Sequence, residues 1–123
     1  MSKLLNSLYT IKIIDSAENS IKAEVVLDKT HEIFKGHFPS QPVLPGVTMV
    51  EMIKDILQLA TGQQYSLSKG NTIKFLKVVD PRQFETLAFD LSIASVDNDL
   101  KVVATSTLND GEANFKFKGI FIK

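Results

Sequence analysis

Two side chains suited to proton transfer, His37 and Glu51, stand fourteen positions apart in this chain, and Pro45-Gly46 lies between them. A histidine is the natural general base near neutral pH. His37 is flanked by Gly36, which permits close approach of a substrate, and by Phe38-Pro39, which stiffens the backbone and supplies apolar cover. Gly46 stands where an apolar helical pattern begins. Unpaired N–H groups and the positive end of the helix dipole collect at such a point and favour negative charge on an oxygen. Glu51 lies about 7.5 Å further along the helix axis, and its side chain leans back toward the helix start. Base, oxyanion donor and acid can thus converge on one small reacting group. His31 opens the same stretch without a partner in the pattern and reads as structural or surface.

The elements that must position these groups follow from the pattern around them. The stretch His31–Asp55 holds three of the four prolines, two of the six glycines and both histidines. A stiff loop over Lys29–Gly46 therefore delivers the chain into a helix over Val47–Ala60, with Gly62 as its C-terminal cap. Met49, Val50, Met52, Ile53, Ile56, Leu57, Leu59 and Ala60 cover most of that helix, while Thr48, Glu51, Lys54, Asp55 and Gln58 share one stripe with Val47. A helix this apolar must be enclosed on most sides, with the polar stripe left uncovered. The rest reads as strands: Leu4–Ile14, Ile21–Asp28, Thr72–Val79, Phe84–Val96, Leu100–Leu108 and Glu112–Ile122, the last three as an antiparallel meander. The expected architecture is α+β, one domain over residues 1–123, with a curled antiparallel sheet of about six strands around one central helix.

Composition narrows the function. The chain has 123 residues and no cysteine, which excludes disulfides, thiolate metal sites and a cysteine nucleophile. Basic and acidic residues balance at 14 each, which argues against broad nucleic-acid binding and leaves little repulsion between copies. Two histidines with only one placed in the motif make a metal site an unfavoured reading. No window approaches a membrane span, no export signal is evident, and the expected location is cytoplasmic.

The run G-H-F-P-S-Q-P-V-L-P-G-V-T-M-V-E resembles the signature of the FabZ/FabA-type 3-hydroxyacyl-acyl carrier protein dehydratases, which have the hotdog fold. Histidine, two prolines, glycine and carboxylate fall in register, and K-F-L-K-V-V-D-P at Lys74–Pro81 resembles the strand after the family's helix. The resemblance implies that His37 removes the C2 proton of a 3-hydroxyacyl thioester, directly or through water. Glu51 then protonates the departing C3 hydroxyl, and the Gly46 amide polarises the thioester carbonyl. It places the acyl chain against Phe38, Pro39, Val43, Pro45, Val47 and Asp55. It also implies a homodimer or higher homo-oligomer with the site at the interface, a substrate carried on acyl carrier protein or coenzyme A, and no cofactor.

This chain departs from the family pattern at several positions. Ser40 stands where the family has glycine, Asp55 where it has glutamine, and Pro81-Arg82-Gln83 where it has Pro-Gly-Asp. A second carboxylate one turn beyond Glu51 would favour the protonated acid if both were buried, and Lys54 would oppose that. These departures mark a divergent branch, one serving a specialised acyl or polyene pathway. Lys35, Lys69, Lys74, Lys77 and Arg82 are the cations that could meet an acidic carrier, although lysines on strands and turns are more often plain solubilising charge. Two other readings stay open: an acyl thioesterase on the same scaffold, with Glu51 activating water or attacking the carbonyl, and a non-catalytic acyl-carrier or subunit-binding module.

Overall fold

The computed structural model describes residues 4–36 and 43–123. Period-two alternation sets the strands. In β2 (Ser20–Leu27) the residues Ile21, Ala23, Val25 and Leu27 are buried and their neighbours exposed. The same rule runs through β4 (Thr86–Val96), β5 (Asp99–Leu108) and β6 (Ala113–Ile122), where Leu87, Phe89, Leu91, Leu100, Val102, Ala104, Phe115, Phe117 and Phe121 face inward. With β1 (Tyr9–Ser16) and β3 (Ser66–Phe75) they form one six-stranded sheet in the order β1-β2-β4-β5-β6-β3, every pair antiparallel. The β4–β5 turn is the two residues Asp97-Asn98, and Asp97 takes the left-handed conformation (φ 57°) that such a tight hairpin requires.

The helix α2 (Val47–Thr61) is enclosed as its composition demands: Met49, Met52, Ile53, Ile56 and Leu57 are all buried in the same cluster as the inward strand residues. It ends at Gly62, whose left-handed backbone (φ 75°) lets its N–H donate to the Gln58 carbonyl at 2.8 Å. This is the hotdog fold, and the expected α+β architecture of about six strands around one helix holds.

Four expectations need correction. The first strand begins at Tyr9 instead of Leu4, because Leu4–Leu8 closes a tight turn in which the Ser7 and Leu8 amides both donate to the Leu4 carbonyl. The loop Lys29–Gly46 is not wholly irregular: it contains a single helical turn, α1 (Ile33–Gly36). The third strand spans Ser66–Phe75, where Thr72–Val79 was expected. Its apolar run outlasts its pairing: after Phe75 the chain leaves the sheet, and the Leu76 and Lys77 amides both turn to the carbonyl of Asn114. Finally, the polar stripe of α2 is not left open. Thr48 and Asp55 are buried, and Glu51, Lys54 and Gln58 are half-buried.

The sheet tolerates no side chain at Gly119, which faces Val102 and Gly70 across its two ladders. A Cβ there would collide with the Lys69 carbonyl oxygen and lie 2.6 Å from Cζ of Phe117. Gly119→Ala should therefore cost about 1–3 kcal/mol, read as a lower thermal midpoint by circular dichroism with the spectrum below the transition unchanged.

Candidate active site

The start of α2 is the centre of the site. Thr48 closes the first turn, its N–H donating to the Pro45 carbonyl at 3.1 Å and its hydroxyl donating to the same oxygen at 2.6 Å. The Met49 amide donates to the Gly46 carbonyl at 3.0 Å. The N–H groups of Gly46 and Val47 find no hydrogen-bond acceptor among the described residues. They are the orphan donors every helix start leaves, with the positive end of the dipole behind them.

Gly46 lines a mostly apolar recess. Val43, Pro45, Gly46 and Met49 from the helix side and Phe75, Leu76 and Val78 from the end of β3 line a cavity of about 380 Å³. The chain is held there by a hydrogen bond from the Leu44 amide to the Val79 carbonyl at 2.8 Å. Glycine at position 46 is a packing requirement: a Cβ would lie 2.7 Å from Cε1 and Cζ of the Phe75 ring, so the ring approaches as closely as it does because none is present. Phe75 remains 57% exposed although it points to the inner side of the sheet.

Five residues into α2, Glu51 is half-buried and paired with Lys54 at 3.6 Å. A long, part-exposed contact of this kind holds the carboxylate only weakly. One turn further, Asp55 is 2% exposed, and the hydroxyl of Tyr9 donates to its Oδ2 at 2.6 Å. The two carboxylates of the stripe thus sit in different environments, and only Asp55 meets the condition of burial. Lys77, which also lines the recess, is not a loose cation: it donates to Glu112 at 2.8 Å and to Asp110 at 3.2 Å and lies over the Phe84 ring. Those two hydrogen bonds, donated to Glu112 first and to Asp110 second, raise the pKa of its ammonium above the ordinary lysine value. Arg82 is likewise engaged, forking onto Asp80, whose carboxyl it holds below the usual range.

Of the residues singled out in the sequence, Val43, Pro45 and Gly46 come together at the recess. Val47 does not: it is 70% exposed and points away from the lining. Asp55 lies beneath Tyr9. His37, Phe38 and Pro39 lie outside the described residues. Sequence reasoning missed Phe75 and Tyr9. Both stood on recognised strands, but nothing in their spacing says that one closes on Gly46 or that the other reaches a carboxylate 46 positions away. Among the described residues no cluster of three or more histidines, aspartates and glutamates could hold a metal, and no helix is long and apolar enough to cross a membrane.

Residues 13–116 match the model of the ApeI-like family, described as ApeI dehydratase. The chain belongs to the ApeI-like dehydratase family. Its curated relatives include the 3-hydroxyacyl-[acyl-carrier-protein] dehydratases FabZ of Enterococcus faecalis, 36% identical over 98% of this chain and 88% of that protein, and of Ligilactobacillus salivarius, 31% identical over 85% and 84%. Among solved structures it is similar to the dehydratase heterocomplex ApeI:P from Xenorhabdus doucetiae, with a TM-score of 0.75 at 22% identity over 93% of this chain and 99% of that one. It is also similar in fold to a hypothetical thioesterase with coenzyme A from Streptococcus pneumoniae, with a TM-score of 0.71 at 10% identity over 97% and 91%. This ApeI-like chain is thus a divergent FabZ-type member of the hotdog dehydratases, on a scaffold that thioesterases share.

The Tyr9–Asp55 contact has a measurable weight. Tyr9→Phe removes one charge-assisted hydrogen bond from a buried carboxylate and should cost about 1.5–3 kcal/mol. Urea denaturation should show this as a lower midpoint at unchanged slope.

Proposed function

We propose that the protein dehydrates a 3-hydroxyacyl thioester, carried on acyl carrier protein or coenzyme A, to the trans-2-enoyl thioester. The observation that carries this reading is the orphan amide of Gly46, at the start of α2, in the wall of a mostly apolar recess of about 380 Å³. A thioester oxygen seated there would gain a hydrogen bond and the helix dipole as negative charge develops on it. His37 takes the C2 proton, directly or through water. Charge moves onto the thioester oxygen beside Gly46, and Glu51 gives its proton to the C3 hydroxyl, which leaves as water while the C2–C3 double bond forms. The fit of His37, Gly46 and Glu51 to the family's motif supports these roles, and the weak hold of Lys54 on Glu51 leaves that carboxylate available. Val43, Pro45 and Phe75 would wall the acyl chain, with Phe38 and Pro39 as further substrate contacts.

The same reading includes a homodimer. Leu67, Ile73 and Phe75 face the inner side of β3 yet stay exposed, and Val47, Leu76 and Val78 are exposed nearby. A second copy is the occupant that would cover this face and complete the recess. The Xenorhabdus doucetiae relative is a heterocomplex, so the mass of the purified assembly discriminates between a second copy and a different chain.

With a 3-hydroxyacyl thioester as substrate, His37→Ala or Glu51→Gln should cut enoyl formation by about 10² or more, with circular dichroism unchanged. Wild-type rates in either variant defeat the mechanism. Release of free thiol from a saturated acyl thioester, without dehydration of the hydroxyacyl one, would establish the thioesterase reading instead. Binding of an acyl carrier with neither reaction would establish a non-catalytic module.

A further inference from the structure

The outer face of the sheet carries a concentration of charge that the site does not use. Three rows of residues cross the strands β4, β5, β6 and β3 in register: Ala94, Lys101, Ile120 and Lys69; Ser92, Val103, Lys118 and Thr72; Asp90, Thr105, Lys116 and Lys74. Five lysines therefore face one carboxylate, Asp90, in a chain whose total charge is zero. All five are exposed, and none forms an ion pair among the described residues. Lys77 and Arg82, by contrast, are spent on internal carboxylates.

Solubility alone does not account for this placement. Charge on an edge strand discourages stray pairing, which covers Lys69 and Lys74 on β3. It does not cover Lys101, Lys116 and Lys118, which stand on the interior strands β5 and β6. Lys74 and Lys116 also sit directly opposite one another, and like charges in that relation destabilise a ladder. The face is furthermore hollow. A groove of about 510 Å³ runs between Lys101 and Lys118, and its floor includes Val103, Ala94 and Ile120. Val103 is 47% exposed there, an apolar surface in the middle of cations.

We infer that this face binds an acidic, amphipathic segment of a partner protein, with carboxylates on Lys101, Lys116 and Lys118 and an apolar side chain on Val103. Other polyanions fit less well. The rows contain no aromatic ring for base stacking and no arginine for two-point phosphate contacts. The apolar element is a recess that receives a side chain, not a projection that enters a bilayer. The proposal is independent of the reaction at Gly46.

The test uses the full chain and a fluorescent peptide alternating glutamate and leucine, followed by anisotropy. The peptide should bind, and raising ionic strength from about 0.01 to 1 M should weaken it at least tenfold, because the contacts are exposed and screened. Lys101→Gln combined with Lys118→Gln should weaken it tenfold or more, as should Val103→Asp, while Lys101→Arg with Lys118→Arg should retain it. Turnover of a small thioester should be unchanged in the lysine variants. Absence of peptide binding overturns the proposal, as does equal binding by the glutamine variants. Equal or tighter binding of phosphatidylglycerol vesicles or of a single-stranded oligonucleotide also overturns it, since the face would then select charge alone.

Discussion

A helix that is apolar around most of its circumference cannot stand in water, and the enclosure of α2 is the constraint from which the other features follow. The buried Met52, Ile53, Ile56 and Leu57 each contribute on the order of 1.5–3 kcal/mol only if the sheet wraps them. That wrapping fixes the inward set of every strand, because a slip of one residue would turn Phe89, Phe115 and Phe117 to solvent. It also fixes where the helix starts. The first turn of α2 forms beside Phe75 at the end of the edge strand β3, so the orphan amide of Gly46 lies among apolar side chains. A hydrogen-bond donor in such surroundings acts at low local dielectric, where its pull on developing charge is greatest.

The same enclosure separates the two carboxylates of α2. Residues four apart on a helix are neighbours about 40° apart in azimuth, yet Glu51 is half-buried and Asp55 fully buried. Asp55 is the deeper, and burying a charge without partners would cost several kcal/mol. The phenol of Tyr9, at the first position of β1, answers that cost with a short hydrogen bond. Glu51, nearer the helix start, keeps partial access to solvent and only a distant lysine. Asp55 is therefore fixed by a buried hydrogen bond, whereas Glu51 keeps part of its surface exposed and makes one long contact with Lys54.

What the sequence disclosed, and what it withheld, divides along the same physical line. Alternation in Ile21–Leu27 and in Phe115–Phe121 is a local signal, and the strands it indicates are present. The helix bounds Val47 and Gly62 were legible because Pro45-Gly46 and a left-handed cap are local as well. The misplaced third strand is instructive. Leu76, Val78 and Val79 are as apolar as any strand, but the carbonyl of Asn114, distant in sequence, takes the Leu76 and Lys77 amides and ends the pairing. Closure of Phe75 on Gly46 and the bond from Tyr9 to Asp55 are contacts between elements, and spacing along one chain carries no record of them. The motif marked Val43, Pro45 and Gly46 on one side of the recess, whereas Phe75, on the other side, stands in a strand whose sequence reads as ordinary sheet.

The two faces of the sheet complete the logic. Among the described residues the inner side of β3 is only partly covered: Leu67, Ile73 and Phe75 face inward yet stay exposed, although the Phe75 ring packs on Phe115 and against Gly46. Because Phe75 is both an exposed residue of that partly covered side and a wall of the recess beside Gly46, whatever covers the first necessarily roofs the second. Water excluded from the apolar surface is then excluded from the amides too. In the proposed dimer, assembly and chemistry would be one packing problem at this end of the molecule. The outer face, whose lysines lie on the opposite side of the same strands, can engage other molecules without disturbing either.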